Sequence, residues 1–339
     1  MGDYNERRAG SIIRMIDNTL ISLDKYLPSK EDLHAFCELL FTVGVDAIEL
    51  SSGIYERMEY LPDNGKYILN INFADEIEQY PGFYRYISRH EAFAEHLIYE
   101  VQMNDVREII RLRTLQRHKE LRIVGLDDLL CYDSYEKLLK EIFHCLPNTA
   151  INLCPENTFG CAGALALQWA TQFGSDITTS FAGCNNNAAT EEVIMALRLA
   201  VRHKPNRDLT VFPELTQLYE KITHRVIGNK KPIIGKHIFK VEAGIHADGM
   251  NKNPATYEAY DPGLVGAKSE LVIGKHSGTK AIKLKMEELG IPIPEDSILD
   301  KILSIIKNVC NESRRSLKDE EFKELIKEVI FHEADEAYC

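Results

Sequence analysis

Between residues 11 and 201, short β-branched runs alternate with amphipathic helical segments, which predicts an α/β fold on a parallel sheet. Two further observations frame that class. At 339 residues the chain can hold about two domains, or one α/β barrel with an appendage, and the β/α rhythm stops near Gly228. No G-x-G-x-x-G comes after the first strand, so a dinucleotide site is unsupported. The alternation itself fits either a doubly wound sheet or a (β/α) barrel.

Ser11 to Asp17 reads as the first strand. Ser29 then N-caps a helix with acids in its first turn, Leu33, Phe36, Cys37, Leu40 and Phe41 at helical spacing, and Gly44 at its end. Further strands are expected at 45–50, 66–72, 97–102, 121–126, 149–153 and 176–181, which makes seven candidates in all. Helices are expected at 134–145 and 163–173, with Thr190 capping a last one, EEVIMALRLAV. His34 and His90 fall on expected helices and His144 ends one, without partners at metal spacing, while Trp169 sits in an apolar helix as core. Beyond Gly228 a cluster of Gly and Pro leads to a charged helical stretch, Glu295 to Glu336, with Leu299, Ile302, Ile305 and Ile306 as its apolar side and Arg314 to Glu328 as a solvated face.

Composition narrows the function classes. Forty Lys and Arg against 52 Asp and Glu leave a net charge of −12, which repels phosphate backbones and anionic lipid surfaces, so neither nucleic acid nor membrane is expected as a partner. No run approaches the ~18 apolar residues of a membrane span, and a cytoplasmic protein is expected. Eight scattered cysteines without a C-x-x-C pair read as reduced thiols, mostly buried.

One segment carries a far sharper pattern. Residues 243–278 read AGIHADGMNKNPATYEAYDPGLVGAKSELVIGKHSG. This resembles the region after the barrel in the homocitrate synthase and 2-isopropylmalate synthase family, and MIDNTL at 15–20, GVDAIEL at 44–50 and NNNAATEEVIMALR at 185–198 resemble that family's barrel. The resemblance implies a trimmed, degenerate TIM-type (β/α)8 barrel, pyruvate-carboxyltransferase-like, at 12–228, and a small α-rich C-terminal region at 229–339. With only seven strand candidates, the stretch falls short of the ~250 residues of a typical barrel, and the deficit lies between Lys66 and Leu121.

Members of the family condense acetyl-CoA with a 2-oxo acid at a divalent metal. The metal is held by an Asp of a first-strand L-R-D-G-E-Q motif and two His of an H-x-H-N motif on the seventh strand. This sequence departs at each point. Ile21 replaces the keto-binding arginine, Ser22 the ligand Asp, and Cys154 and Glu156 the two histidines, while Asn157 and Gly160 are kept. The N-G-x-G-E-R-A-G-N motif shrinks to 182–187, without its Glu and Arg. A remodelled metal site of Cys154 and Glu156, with Asp24, is one reading. The other, preferred, makes Cys154 a small buried residue and Glu156 a hydrogen-bonded or exposed acid at the barrel mouth.

By contrast His246 and Tyr257 stand where the family has the pair that reaches into a neighbouring subunit's site and assists acetyl-CoA deprotonation. The resemblance thus implies an omega-type chain of a two-chain enzyme that makes homocitrate for nitrogenase cofactor synthesis. Its partner would be a catalytic alpha-type homocitrate synthase chain that holds the divalent metal and works on acetyl-CoA and 2-oxoglutarate; this chain would bind no metal or cofactor itself. An inactive regulatory or scaffolding paralogue is the alternative.

Overall fold

A computed structural model describes residues 13–63, 65–173, 176–244, 249 and 258–336. The chain divides into two units, Met1–Ile234 and Gly235–Cys339.

The first unit is a closed barrel of eight parallel strands in sequence order: β1 Met15–Asp17, β2 Ala47–Ser51, β3 Lys66–Asn70, β4 Arg85–Ser88, β5 Leu97–Met103, β6 Glu120–Gly125, β7 Ala150–Pro155 and β8 Asp176–Thr179. β8 closes on β1 with Ile16 opposite Thr178. The strand missing from the seven expected is β4, whose sequence RYIS is too short and too polar to stand out. The barrel is therefore trimmed in its helices, not in its strands. A single turn, Glu76–Gln79, joins β3 to β4, residues 89–96 join β4 to β5 without a helix, and a 3-10 segment, Val106–Leu115, joins β5 to β6.

Elsewhere the helices are full and locally encoded. Lys30–Val43 begins where Ser29 accepts the Asp32 amide and ends at Gly44, whose φ of 108° suits glycine. Ala189, not Thr190, is the N-cap of Thr190–Val201, because the Thr190 hydroxyl is taken by Asp17. The helix Phe212–Thr223, absent from the expected elements, packs on Lys30–Val43. His90 lies in the turn after β4, not on a helix, with its Nδ1 2.9 Å from the Asn72 carbonyl oxygen. Trp169 is fully buried, as expected of a core residue.

Side-chain alternation stacks the barrel interior in layers. Ile16, Ala47, Ile68, Ile87 and Ile98 form an apolar layer. Two residues further along their strands, Glu49, Asn70 and Glu100 begin a polar one. At the end of β6, Gly125 has a φ of 105°, and a methyl group there would overlap the Met103 carbonyl oxygen. Gly125→Ala is expected to destabilise the barrel by about 1–3 kcal/mol, seen as a lower Tm, with β5 and β6 losing amide-exchange protection first.

In the second unit, β9 Lys240–Val241 pairs in parallel with β10 Glu270–Leu271. The helices Thr279–Glu288, Asp296–Ser313 and Asp319–Glu336 bury Ile282, Met286, Leu299, Ile302, Ile306 and Phe322. The single charged stretch expected at 295–336 is thus two helices, parted at Arg314, which takes the left-handed conformation (φ 53°).

Candidate functional site

The C-terminal ends of β1, β7 and β8 bring the replaced family positions to one mouth of the barrel, the end where this architecture places its chemistry. Ser22 lies on the helix Thr19–Leu23 directly after β1. Its hydroxyl donates to the Thr19 carbonyl oxygen at 2.8 Å and lies 3.1 Å from Cys184 Sγ. Cys154, on β7, is 2% exposed, and burial pushes its thiol up to about 12, so it is held neutral. Glu156 accepts from Gln102 Nε2 at 2.9 Å and its backbone bridges to Asn187. Asp24 is drawn away to β2, accepting from Ser51 Oγ at 2.7 Å and from Arg57 Nη1 at 3.2 Å.

The shortened loop after β8 closes this end with neutral groups. Asn185 Nδ2 donates to the backbone and side-chain oxygens of Asn18 at 2.9 and 3.0 Å, and Asn187 Nδ2 donates to Asn18 Oδ1 at 3.3 Å. Asn157 joins in through its amide, which donates to the Asn186 carbonyl oxygen at 2.7 Å, while its Oδ1 accepts from Ala162. Amide hydrogen bonds thus occupy the loop where the family carries its Glu and Arg.

These donors do not fit a divalent metal. A hard cation needs several oxygen ligands, and a structural zinc site needs four converging Cys, His, Asp or Glu ligands, a catalytic one three. Here a committed hydroxyl, one buried thiol and one hydrogen-bonded carboxylate are what the three positions supply, and among the described residues no three His, Cys, Asp or Glu side chains converge as ligands.

Beneath the mouth lies a charge cluster that the sequence pattern does not reveal. Arg122, 1% exposed on β6, donates Nη1 to Glu49 at 2.5 Å and to Glu100 at 3.3 Å, and Nε to Asn152 Oδ1 at 2.7 Å. Asn70 Nδ2 reaches Glu49 at 3.0 Å and Arg89 Nε reaches Glu100 at 2.6 Å. The cluster is balanced by its own charges. Charged residues inside largely apolar strands, Glu49 in AIELS, Glu100 in LIYEVQM and Arg122 in ELRIVG, were the available clue.

Two carboxyls near the β1–β8 seam are held against their ordinary ionisation. Burial pushes Asp17 up to about 6 although it accepts from the Thr19 amide and the Thr190 hydroxyl. Burial likewise pushes Glu191 up to about 7; Lys231 stands 3.5 Å away but gives its 2.5 Å bond to Glu192. A carboxyl with a raised folded-state pKa binds more protons folded than unfolded, so stability falls as pH rises between the two pKa values. For Glu191 that window runs from the ordinary 4.5 to about 7. Glu191→Gln keeps the acceptor for the Ala182 amide and is expected to gain on the order of 3 kcal/mol at pH 8 and nothing at pH 4, measured by urea unfolding at both.

His246 and Tyr257, with Asp248, Asn253 and Pro254, lie outside the described residues. The G-K-H-S-G motif, further along the second unit, orders its own turn. Ser277 Oγ accepts from the Gly274 amide at 3.0 Å and donates to the Glu242 carbonyl oxygen at 2.9 Å. A methyl group on Gly274 would overlap the Glu242 carboxylate.

Comparison with known proteins decides the family. Residues 233–314 match the family described as homocitrate synthase post-HMGL domain-like. Over 340 aligned residues the chain is 32% identical to the homocitrate synthase omega subunit of Clostridium pasteurianum, covering 93% of this chain and 95% of that one. The chain belongs to the homocitrate synthase family. Homocitrate synthase AksA of Methanocaldococcus jannaschii is 29% identical, over 88% of this chain and 75% of its own length. Among solved structures, a hydroxymethylglutaryl-CoA lyase from Pseudomonas aeruginosa superposes with a TM-score of 0.51 at 15% identity, over 67% of this chain and 97% of that one, and shows the barrel fold alone. Within the homocitrate synthase family, then, the chain has the closed eight-strand barrel but carries Ile21, Ser22, Cys154 and Glu156 at its mouth.

Proposed function

We propose that this chain is the omega-type, non-autonomous subunit of a cytoplasmic two-chain homocitrate synthase. It complements an alpha-type chain that condenses acetyl-CoA with 2-oxoglutarate to homocitrate, for nitrogenase cofactor synthesis. The observation that carries the reading is the contrast within one chain: the mouth of the barrel offers no metal-ligand set among the described residues, while the G-I-H-A-D-G and G-K-H-S-G segments keep the family pattern. End-to-end likeness to a relative named as an omega subunit supports it.

The chemistry assigned to this chain is limited to two side chains. His246 takes or relays the proton lost from the acetyl methyl group, and Tyr257 holds the thioester or the developing enolate by a hydrogen bond. The divalent metal, which as Lewis acid polarises the keto group of the 2-oxo acid, belongs to the partner's barrel. The network of Asn18, Asn185 and Asn187 and the buried Arg122 cluster then serve to keep the second barrel folded.

Release of CoA thiol tests the reading. Neither this chain nor an alpha-type chain alone should turn over acetyl-CoA and 2-oxoglutarate at more than a trace, and the mixture should turn over at rates ordinary for enzymes. Full activity of this chain by itself would sink the proposal.

A further inference from the structure

The proposed function uses the G-I-H-A-D-G segment and leaves unexplained why G-K-H-S-G is kept beside it. The two meet in the second unit. The chain leaves β9 through Glu242 and Gly244, and His246 is the second residue after Gly244. Alongside, the chain leaves β10 through Ile273 into the G-K-H-S-G turn, with the Val272 amide donating to the Val241 carbonyl oxygen at 2.9 Å.

The turn holds the root of the histidine segment at three points. The first is Ser277, 2% exposed, whose hydroxyl accepts from the Gly274 amide at 3.0 Å and donates to the Glu242 carbonyl oxygen at 2.9 Å, across 35 positions. A serine that ordered its own turn alone would need only the first of these bonds. The second point is the Glu242 side chain, which lies over Gly274, where a methyl group would overlap its carboxylate, and accepts from Ser316 Oγ at 3.0 Å. The third is Gly244. A methyl group there would overlap the backbone of Ala281, so the chain passes the first turn of helix Thr279–Glu288 closer than any side chain permits. That helix is set in the core of the unit through Ala281, Ile282 and Met286, and Ile273 accepts at its carbonyl oxygen from the Leu317 amide at 2.8 Å.

We propose that Ser277 is a positioning residue for the proton transfer assigned to His246. This rests on the reading of His246 as the group that takes the acetyl proton. By tying Glu242 to the turn, Ser277 fixes the point in the helical unit from which the histidine segment departs. A general base must stand within about 2.6–3.2 Å of the atom that gives up the proton, and a misplacement of about 1 Å can cost about a hundredfold in rate.

A double-mutant cycle in the complex with an alpha-type chain tests it, read as kcat for release of CoA thiol. With His246 present, Ser277→Ala should lower kcat roughly ten- to a hundredfold and leave KM for acetyl-CoA within about threefold. In a His246→Ala background the same change should alter the residual rate by less than about twofold, because a residue that acts through the histidine has nothing left to position. Ser316→Ala frees the Glu242 carboxylate without disturbing the buried Ser277, and it should follow the same pattern with a smaller loss. It carries the test if size-exclusion chromatography shows that Ser277→Ala does not fold or assemble. Equal losses in the two backgrounds would overturn the proposal and leave the functional reading standing, since the turn would then support the fold or ligand binding and not the histidine. Wild-type kcat in both serine variants would overturn it as well. Wild-type kcat in His246→Ala would strike the functional reading, and this proposal with it.

Discussion

His246→Ala in the complex with an alpha-type chain is expected to lower kcat by about 10²- to 10⁴-fold, the range of a lost general acid–base group, with little change in KM for the 2-oxo acid. Tyr257→Phe, which deletes one hydrogen-bond donor and nothing else, should cost less and retain partner binding. The expectation comes from the division of labour. The alpha-type barrel would hold the metal and the oxo acid, and the groups facing the acetyl methyl would come from this chain. If instead the chain is a scaffold, His246→Ala leaves kcat at the wild-type value and only disruption of assembly lowers activity. Size-exclusion chromatography of the variant complex separates the two explanations for any loss.

The second large effect is on stability. Arg122→Met removes the cation that Glu49 and Glu100 share inside the barrel, leaving the buried Glu49 carboxylate without a cation while Glu100 keeps only Arg89. Breaking such a pair from one side costs about 3–5 kcal/mol, a large part of a domain's whole stability. Urea unfolding of the variant at pH 7.5 should show that loss. Replacing Glu49 and Glu100 by leucine and methionine in the same variant should restore most of the stability, because the cost lies in the unpaired charge. A single variant as stable as wild type would mean that water reaches the cluster.

Much of this is legible in the sequence, and the failures have physical reasons. Helix Lys30–Val43 is readable at both ends because Ser29 and Gly44 act through their own local chemistry. Strand β4 is not: its four residues are fixed as a strand by pairing with β3 and β5, a contact no local pattern encodes. Thr190 reads as a cap because threonine caps helices, but Asp17, 173 positions away, claims its hydroxyl. At the barrel mouth, the loss of the family's ligand residues is visible in the motifs, since Ser22, Cys154 and Glu156 stand at fixed spacing from kept neighbours. That Asp24 turns away to Ser51 and Arg57 requires three dimensions. The Arg122 cluster escapes a sequence reading for the same reason: Glu49, Glu100 and Arg122, on separate strands, become a network only when the barrel closes.

The central claim is that this chain works through its C-terminal segment and not through its own barrel. One assay compares the two directly: kcat of the complex with the alpha-type chain, carrying either His246→Ala or the pair Ser22→Ala and Glu156→Gln in this chain. The account predicts that the barrel pair retains the wild-type rate within about twofold while His246→Ala loses at least about a hundredfold. A collapse of activity in the barrel pair, with His246→Ala unimpaired, would contradict it.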